Sequence, residues 1–147
     1  MSENKKDKLL LAVKEEVVKC QKCELFRTRT LPVIGQGSHS AKIMFIGEAP
    51  GANEDKTGVP FCGQAGQILN SLLASINVKR EDVYIANILK CRPPANREPA
   101  PEEVKACSLY LLRQISIIEP WVIATLGNHS AHFVLEYFGL PESSLGI

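Results

Sequence analysis

The sequence carries almost no excess charge of either sign. Seventeen Lys and Arg stand against sixteen Asp and Glu, a net charge of +1. A protein-wide basic field for nucleic acid is thereby excluded, and any polyanion site must be a local patch. No apolar run approaches the length of a membrane-spanning helix. The first ten residues, MSENKKDKLL, are too polar for a secretory signal peptide. These absences point to a cytoplasmic protein with no membrane partner, where five cysteines are not a disulfide framework. What remains is 45% apolar, enough for a core, in 147 residues that suit one domain.

Apolar periodicity predicts alternating elements. Residues 5 to 19 read as an amphipathic helix with Leu9, Leu10, Val13 and Val17 on one face. Residues 24 to 40 read as a loop broken by Pro32, Gly35 and Gly37. Lys42–Gly47 is a buried strand, followed by a loop rich in Gly, Pro and acid, GEAPGANEDKTGVPFCGQAG. A helix is expected over Gly63–Ile76, with Ile68, Leu69, Leu72, Leu73 and Ile76 on one side. Val83–Leu89 is a second strand and CRPPANREPAP the loop after it. Pro101 opens a helix to about Ile118, with Glu102 and Glu103 at its positive end. Trp121–Gly127 is a third strand, and Asn128 is expected to cap a last helix ending near Gly139.

Strands separated by helices imply right-handed crossovers, a parallel sheet and an α/β fold. Ligands of such sheets bind beyond the carboxyl ends of the strands. The loops GEAPG, KCRPPANR and LGNHS should therefore face one cleft. Three strands make a small sheet, and a fourth βα unit is expected; a C-terminally truncated single domain over 1–147 is the reading this favours.

Cys20 and Cys23 form a C-x2-C pair, and Cys91 and Cys107 lie in a loop and a helix far along the chain. Four thiolates from two places can close around one metal centre, as an iron–sulfur cluster or an all-cysteine zinc site. Spacing alone does not choose, although zinc sites often show two C-x2-C knuckles and only one is present. The alternative is that these are small apolar core residues, and for Cys62, between Phe61 and Gly63, that reading is preferred.

GEAPGANEDKTGVPFCGQAG, NILKCRPPANREP and TLGNHSA, in this order and with four cysteines, resemble the family 4 uracil-DNA glycosylases of thermophilic bacteria and archaea. The resemblance runs from Cys20 to about Ala131. It implies a three-layer α/β/α sandwich with a parallel sheet of order 2-1-3-4. It implies a [4Fe–4S] cluster on Cys20, Cys23, Cys91 and Cys107, and hydrolysis of the N-glycosidic bond of uracil in DNA, the work of base excision repair. A monomer is expected for this class. The family's later His-Pro motif has no counterpart here, which puts the last strand and the activity of this stretch in question. A catalytically incomplete iron–sulfur module that binds DNA or a partner is the alternative. Cys62 is a second departure, at a position the family usually fills with an aliphatic residue.

Within that resemblance each motif residue acquires a role. A base pulled from the stack must be read on its Watson–Crick edge. Uracil offers O4 as acceptor and N3–H as donor, which a carboxamide complements, so Asn87 is the expected reader. Phe61 is expected to stack on the base. The departing uracil anion and the cationic sugar need donors and a held water. Backbone N–H groups of the turn from Gly47 through Glu48 and Ala49 to Gly51 can supply the donors. Glu48 is the first candidate for holding the water and Glu54 the second; Asp55 is read as a solvated loop acid. Arg92 and Arg97 can meet DNA phosphates, as can Gln64 at a helix start. His129 is read as a surface or capping residue.

Overall fold

A computed structural model of the chain describes residues 1–142. Helix α1 (Glu3–Val18) leads, and Leu10, Val13 and Val17 are its buried face; Leu9 stays partly exposed. Strand β1 (Gln36–Gly37) is a two-residue piece inside the segment expected to be loop. Strand β2 (Ile43–Gly47) and the short helix α2 (Ala52–Thr57) follow. Helix α3 (Gln64–Ser75), strand β3 (Tyr84–Asn87), helix α4 (Pro101–Ile118), strand β4 (Val122–Thr125) and helix α5 (Asn128–Tyr137) complete the order.

The sheet runs β1-β3-β2-β4. The β2 strand pairs in parallel with β3 and with β4, so the three expected strands stand in the order second, first, third. The sheet is not wholly parallel: β1 adds antiparallel to β3, with Gln36 opposite Ile85 and Gly37 opposite Tyr84. Gly37 suits this edge because its φ of 134° is left-handed and a Cβ there would run into the Val83 carbonyl. A loop composition concealed a strand because two residues are too few to show a period.

Strand alternation builds the three layers. Met44, Ile46, Tyr84 and Ala86 pack with α1, α4 and Val134 of α5 on one face. Ile43, Phe45, Val83 and Ile85 pack with Leu69 and Leu73 of α3 on the other. The buried face of α3 is narrower than its apolar pattern suggested, since Ile68, Leu72 and Ile76 are each about 60% exposed. At α5 the N-cap is Gly127, with φ of 97°, rather than Asn128. Ser130 Oγ donates within that turn, to the carbonyls of Leu126 and Gly127 at 2.9 and 3.0 Å.

Candidate functional site

The carboxyl ends of β2 and β3 meet side by side, with Gly47 in register with Asn87. The chain then leaves both strands together: Ile88 N–H donates to the Gly47 carbonyl and Leu89 N–H to the Glu48 carbonyl, each at 3.0 Å. Gly47 is required here by crowding. A Cβ on it would stand 2.6 Å from Phe61 Cζ and would also overlap Asn87 Oδ1. Asn87 is 2% exposed, and its Oδ1 is a buried side-chain acceptor without a partner among the described residues. An unpaired buried acceptor costs about 1–3 kcal/mol, so a site that keeps one is built for an incoming donor. The amide is held by packing against Gly47 and Phe61, while the Asn87 carbonyl accepts from Lys90 Nζ at 3.0 Å.

Phe61 sits on the loop between α2 and α3 with a left-handed φ of 47°. Part of the stretch read as open loop is ordered as α2, ended by Gly58 at φ 73°. Within it Asp55 is buried, against expectation. Its Oδ1 accepts from Thr30 N–H at 2.9 Å and its carbonyl from Leu31 N–H at 3.1 Å, so it braces the neighbouring loop. Glu54 turns back over Gly51, its Oε2 lying 3.1 Å from where a Cβ would stand. The backbone N–H groups of Glu48, Ala49 and Gly51 donate to no other protein group among the described residues.

Glu48 is two-thirds buried, and its Oε2 lies 3.7 Å from His129 Nε2. The same nitrogen is 3.4 Å from Glu98 Oε1. His129, read as surface or cap, is exposed in the first turn of α5, where it stands between an acid after β2 and an acid after β3. The sequence held a signal for this, because LGNHS follows a strand whose carboxyl end faces the same side.

The four cysteines at 20, 23, 91 and 107 line one small cavity with Val17, Leu25, Phe26 and Tyr110. Two donors address the sulfurs: Lys90 N–H points at Cys107 Sγ at 3.2 Å and Arg29 Nη1 at Cys91 Sγ at 3.1 Å. Arg29 is fixed by the α1 carbonyls of Val17 and Val18 at 3.2 and 2.8 Å. Burial pushes the Cys107 thiol up to about 12 and raises Cys91 and Cys23 in the same direction; the two donors oppose it at Cys107 and Cys91. This set fits a group bound through four thiolates: all-sulfur ligands, apolar walls, and N–H donors aimed at sulfur. It does not converge on one point, since no three His, Cys, Asp or Glu among the described residues are arranged around a single metal ion. Cys62 is elsewhere, half-buried at 3.4 Å from Thr57 Oγ1 rather than in the core.

Lys90 and Gln114 escaped the sequence reading. Lys90 is fully buried, and its ammonium donates to Gln114 Oε1 at 2.6 Å; Gln114 Nε2 donates to the Ile34 carbonyl and Tyr84 Oη. Burial lowers the Lys90 ammonium to about 8 and raises the Tyr84 hydroxyl to about 12. A lysine beside a cysteine in a polar loop gives no sequence signal of burial.

The phosphate candidates separate. Arg92 lies at the loop after β3 and, among the described residues, donates only to Asn96 Oδ1, at 2.8 Å. Gln64 begins α3 and is exposed. Arg97 is instead clamped: its guanidinium holds Glu103 at 2.7 and 3.0 Å, and Glu103 also accepts from Ala100 N–H. That pair closes the cysteine loop onto the start of α4 and leaves Arg97 little freedom for a phosphate. A wide hollow among the described residues lies between α1 and residues 31–39 and touches none of these groups.

A strand-end asparagine, a loop aromatic and an acid-bearing turn meet at one end of this sheet, and four thiols line one small cavity. The uracil DNA glycosylase superfamily matches residues 34–146, and the chain belongs to that superfamily. Within it the similarity is to type-4 enzymes. The chain is 52% identical over 130 residues to the type-4 uracil-DNA glycosylase of Archaeoglobus fulgidus, covering 88% of this chain and 65% of that protein. Against the type-4 enzyme of Sulfurisphaera tokodaii it is 50% identical, covering 90% and 61%. Against that of Thermotoga maritima it is 49% identical, covering 89% and 68%. The chain thus spans roughly two thirds of the length of the curated relatives it matches. No helix among the described residues is long and apolar enough to cross a membrane.

Proposed function

We propose that the chain is the catalytic domain of a uracil-DNA glycosylase of base excision repair, acting on a base flipped out of DNA. The observation that carries this reading is the partnerless, buried Asn87 Oδ1 beside Phe61. Uracil N3–H supplies the missing donor, and the amide NH2 meets O4. Cytosine carries an acceptor at N3 and would leave Oδ1 unpaired. The Phe61 ring edge lies against Gly47 beside the amide, and the base stacks on that ring.

Bond cleavage leaves a uracil anion and an electron-poor sugar. The free N–H groups of Glu48, Ala49 and Gly51 stabilise the anion at O2. Glu48 holds the attacking water and accepts its proton as the C1′–O bond forms; Glu54, folded over the same turn, is the second acid in reach of the loop. His129 keeps the Glu48 carboxylate oriented across the cleft. Arg92 and Gln64 meet phosphates on either side of the flipped nucleotide.

Cys20, Cys23, Cys91 and Cys107 would hold a [4Fe–4S] cluster, whose four iron–thiolate bonds, when present, tie the end of α1 and the start of α4 to the loop that follows Asn87. Its role is structural: it fixes the Arg92 loop. The domain acts as a cytoplasmic monomer on uracil-containing DNA.

Asn87→Asp tests the reading. Uracil release in single-turnover reactions should fall at least tenfold, with iron content unchanged. An unaltered rate would remove Asn87 from the pocket.

A further inference from the structure

Arg80 is a half-buried arginine that no carboxylate pairs with among the described residues, and it stands just before β3 on the Arg80–Asp82 turn. Its guanidinium reaches along the sheet to the loop that carries Phe61. Nη2 donates to the Pro60 carbonyl, and Nη1 donates to the Phe61 carbonyl at 3.1 Å and to Asn70 Oδ1 of α3 at 2.8 Å. One planar fork thus binds two successive carbonyls, a geometry suited to guanidinium and not to an ammonium.

Two successive carbonyls rarely face one donor. An extended residue turns its carbonyl away from the one before it. At Phe61 the left-handed φ of 47° departs from that alternation, and it is a conformation bulky residues avoid. Helix α3 closes the other side. A Cβ on Gly66 would collide with the Phe61 carbonyl, so the glycine lets α3 come down on that same backbone. The Phe61 ring, held from behind by these contacts, is left at Gly47 and Asn87.

We propose that Arg80 is a positioning residue for the base pocket: it locks the Pro60–Phe61 backbone in its left-handed turn and so places the Phe61 ring where a flipped base stacks. This rests on the stacking role given to Phe61 above. Arg80 touches no base. It fixes the backbone that carries the ring.

A double-mutant cycle on the full chain, purified anaerobically with its iron, tests this. The readouts are single-turnover uracil release and uracil affinity by calorimetry, for the unmodified chain, Phe61→Ala, Arg80→Ala and the double variant. The expected result is a loss of roughly tenfold for each single variant, the size of one base–aromatic stack, with no further loss in the double variant. Millimolar guanidinium should restore Arg80→Ala and leave Phe61→Ala unchanged. Arg80→Lys, which can serve one carbonyl at a time, should fall between, and it carries the test if Arg80→Ala does not fold. Losses that multiply in the double variant would overturn the role of Arg80 and leave the glycosylase reading standing. A Phe61→Ala variant with full release and affinity would overturn the stacking role itself, and Arg80's with it.

Discussion

Phe61 and Asn87 converge on one α-carbon, that of Gly47. The ring edge and the carboxamide oxygen both occupy the space a side chain would need there. The glycine is therefore part of the site as much as the residues it separates. Gly47→Ala should drive ring and amide apart and cost about 1–3 kcal/mol of stability through overpacking. Uracil release should fall well beyond the few degrees lost in melting temperature. A variant with normal melting and normal release would show that the two side chains do not act as one unit.

The thiol cavity makes a second prediction. Cys107 is buried against Lys90 N–H and lies a long way in sequence from the C-x2-C pair. Cys107→Ser should lose bound iron, together with the broad visible absorption of a cluster, and should melt at a lower temperature. Cys62→Ser, outside the cavity, should keep both. Equal iron in the two variants would remove Cys107 from the ligand set.

The Arg97–Glu103 pair sets an acid limit. The Arg97 hydrogen bond holds the Glu103 carboxyl below the ordinary carboxylate range, with the Ala100 N–H acting in the same direction. A depressed folded-state pKa gives stability that is full above the unfolded value, about 4.3, and lost as pH falls through the lower folded value. Glu103→Gln should melt a few degrees below the unmodified chain at pH 7, and the gap should close as pH drops toward 3. A gap independent of pH would mean the ion pair is not its source.

Much of this was legible in the sequence. Short apolar runs located the three parallel strands and period-3.6 patterns the long helices, and topology put GEAPG, KCRPPANR and LGNHS at one end. The chemistry of side chains that change character on burial was not legible. Asp55 is a polar letter in a polar context and Lys90 stands where an apolar run gives way to a polar loop, and only the fold turns one into a loop brace and the other into an internal donor to Asn87. The pairing of exposed His129 was not legible because its partners, Glu48 and Glu98, come from two other loops. The pairing of Arg97 with Glu103 was not legible because a charge gives no sign of its partner six residues on. The β1 edge was missed because a two-residue strand has no period.

The central claim is that this chain opens the N-glycosidic bond of uracil in DNA from a pocket built on Asn87. The most direct measurement is single-turnover release of uracil from a labelled oligonucleotide, with matched cytosine and thymine strands as controls and iron quantified in the same sample. The account predicts release from the uracil strand alone, by protein carrying about four irons per chain. Iron-loaded protein that binds the uracil strand and releases nothing would contradict it.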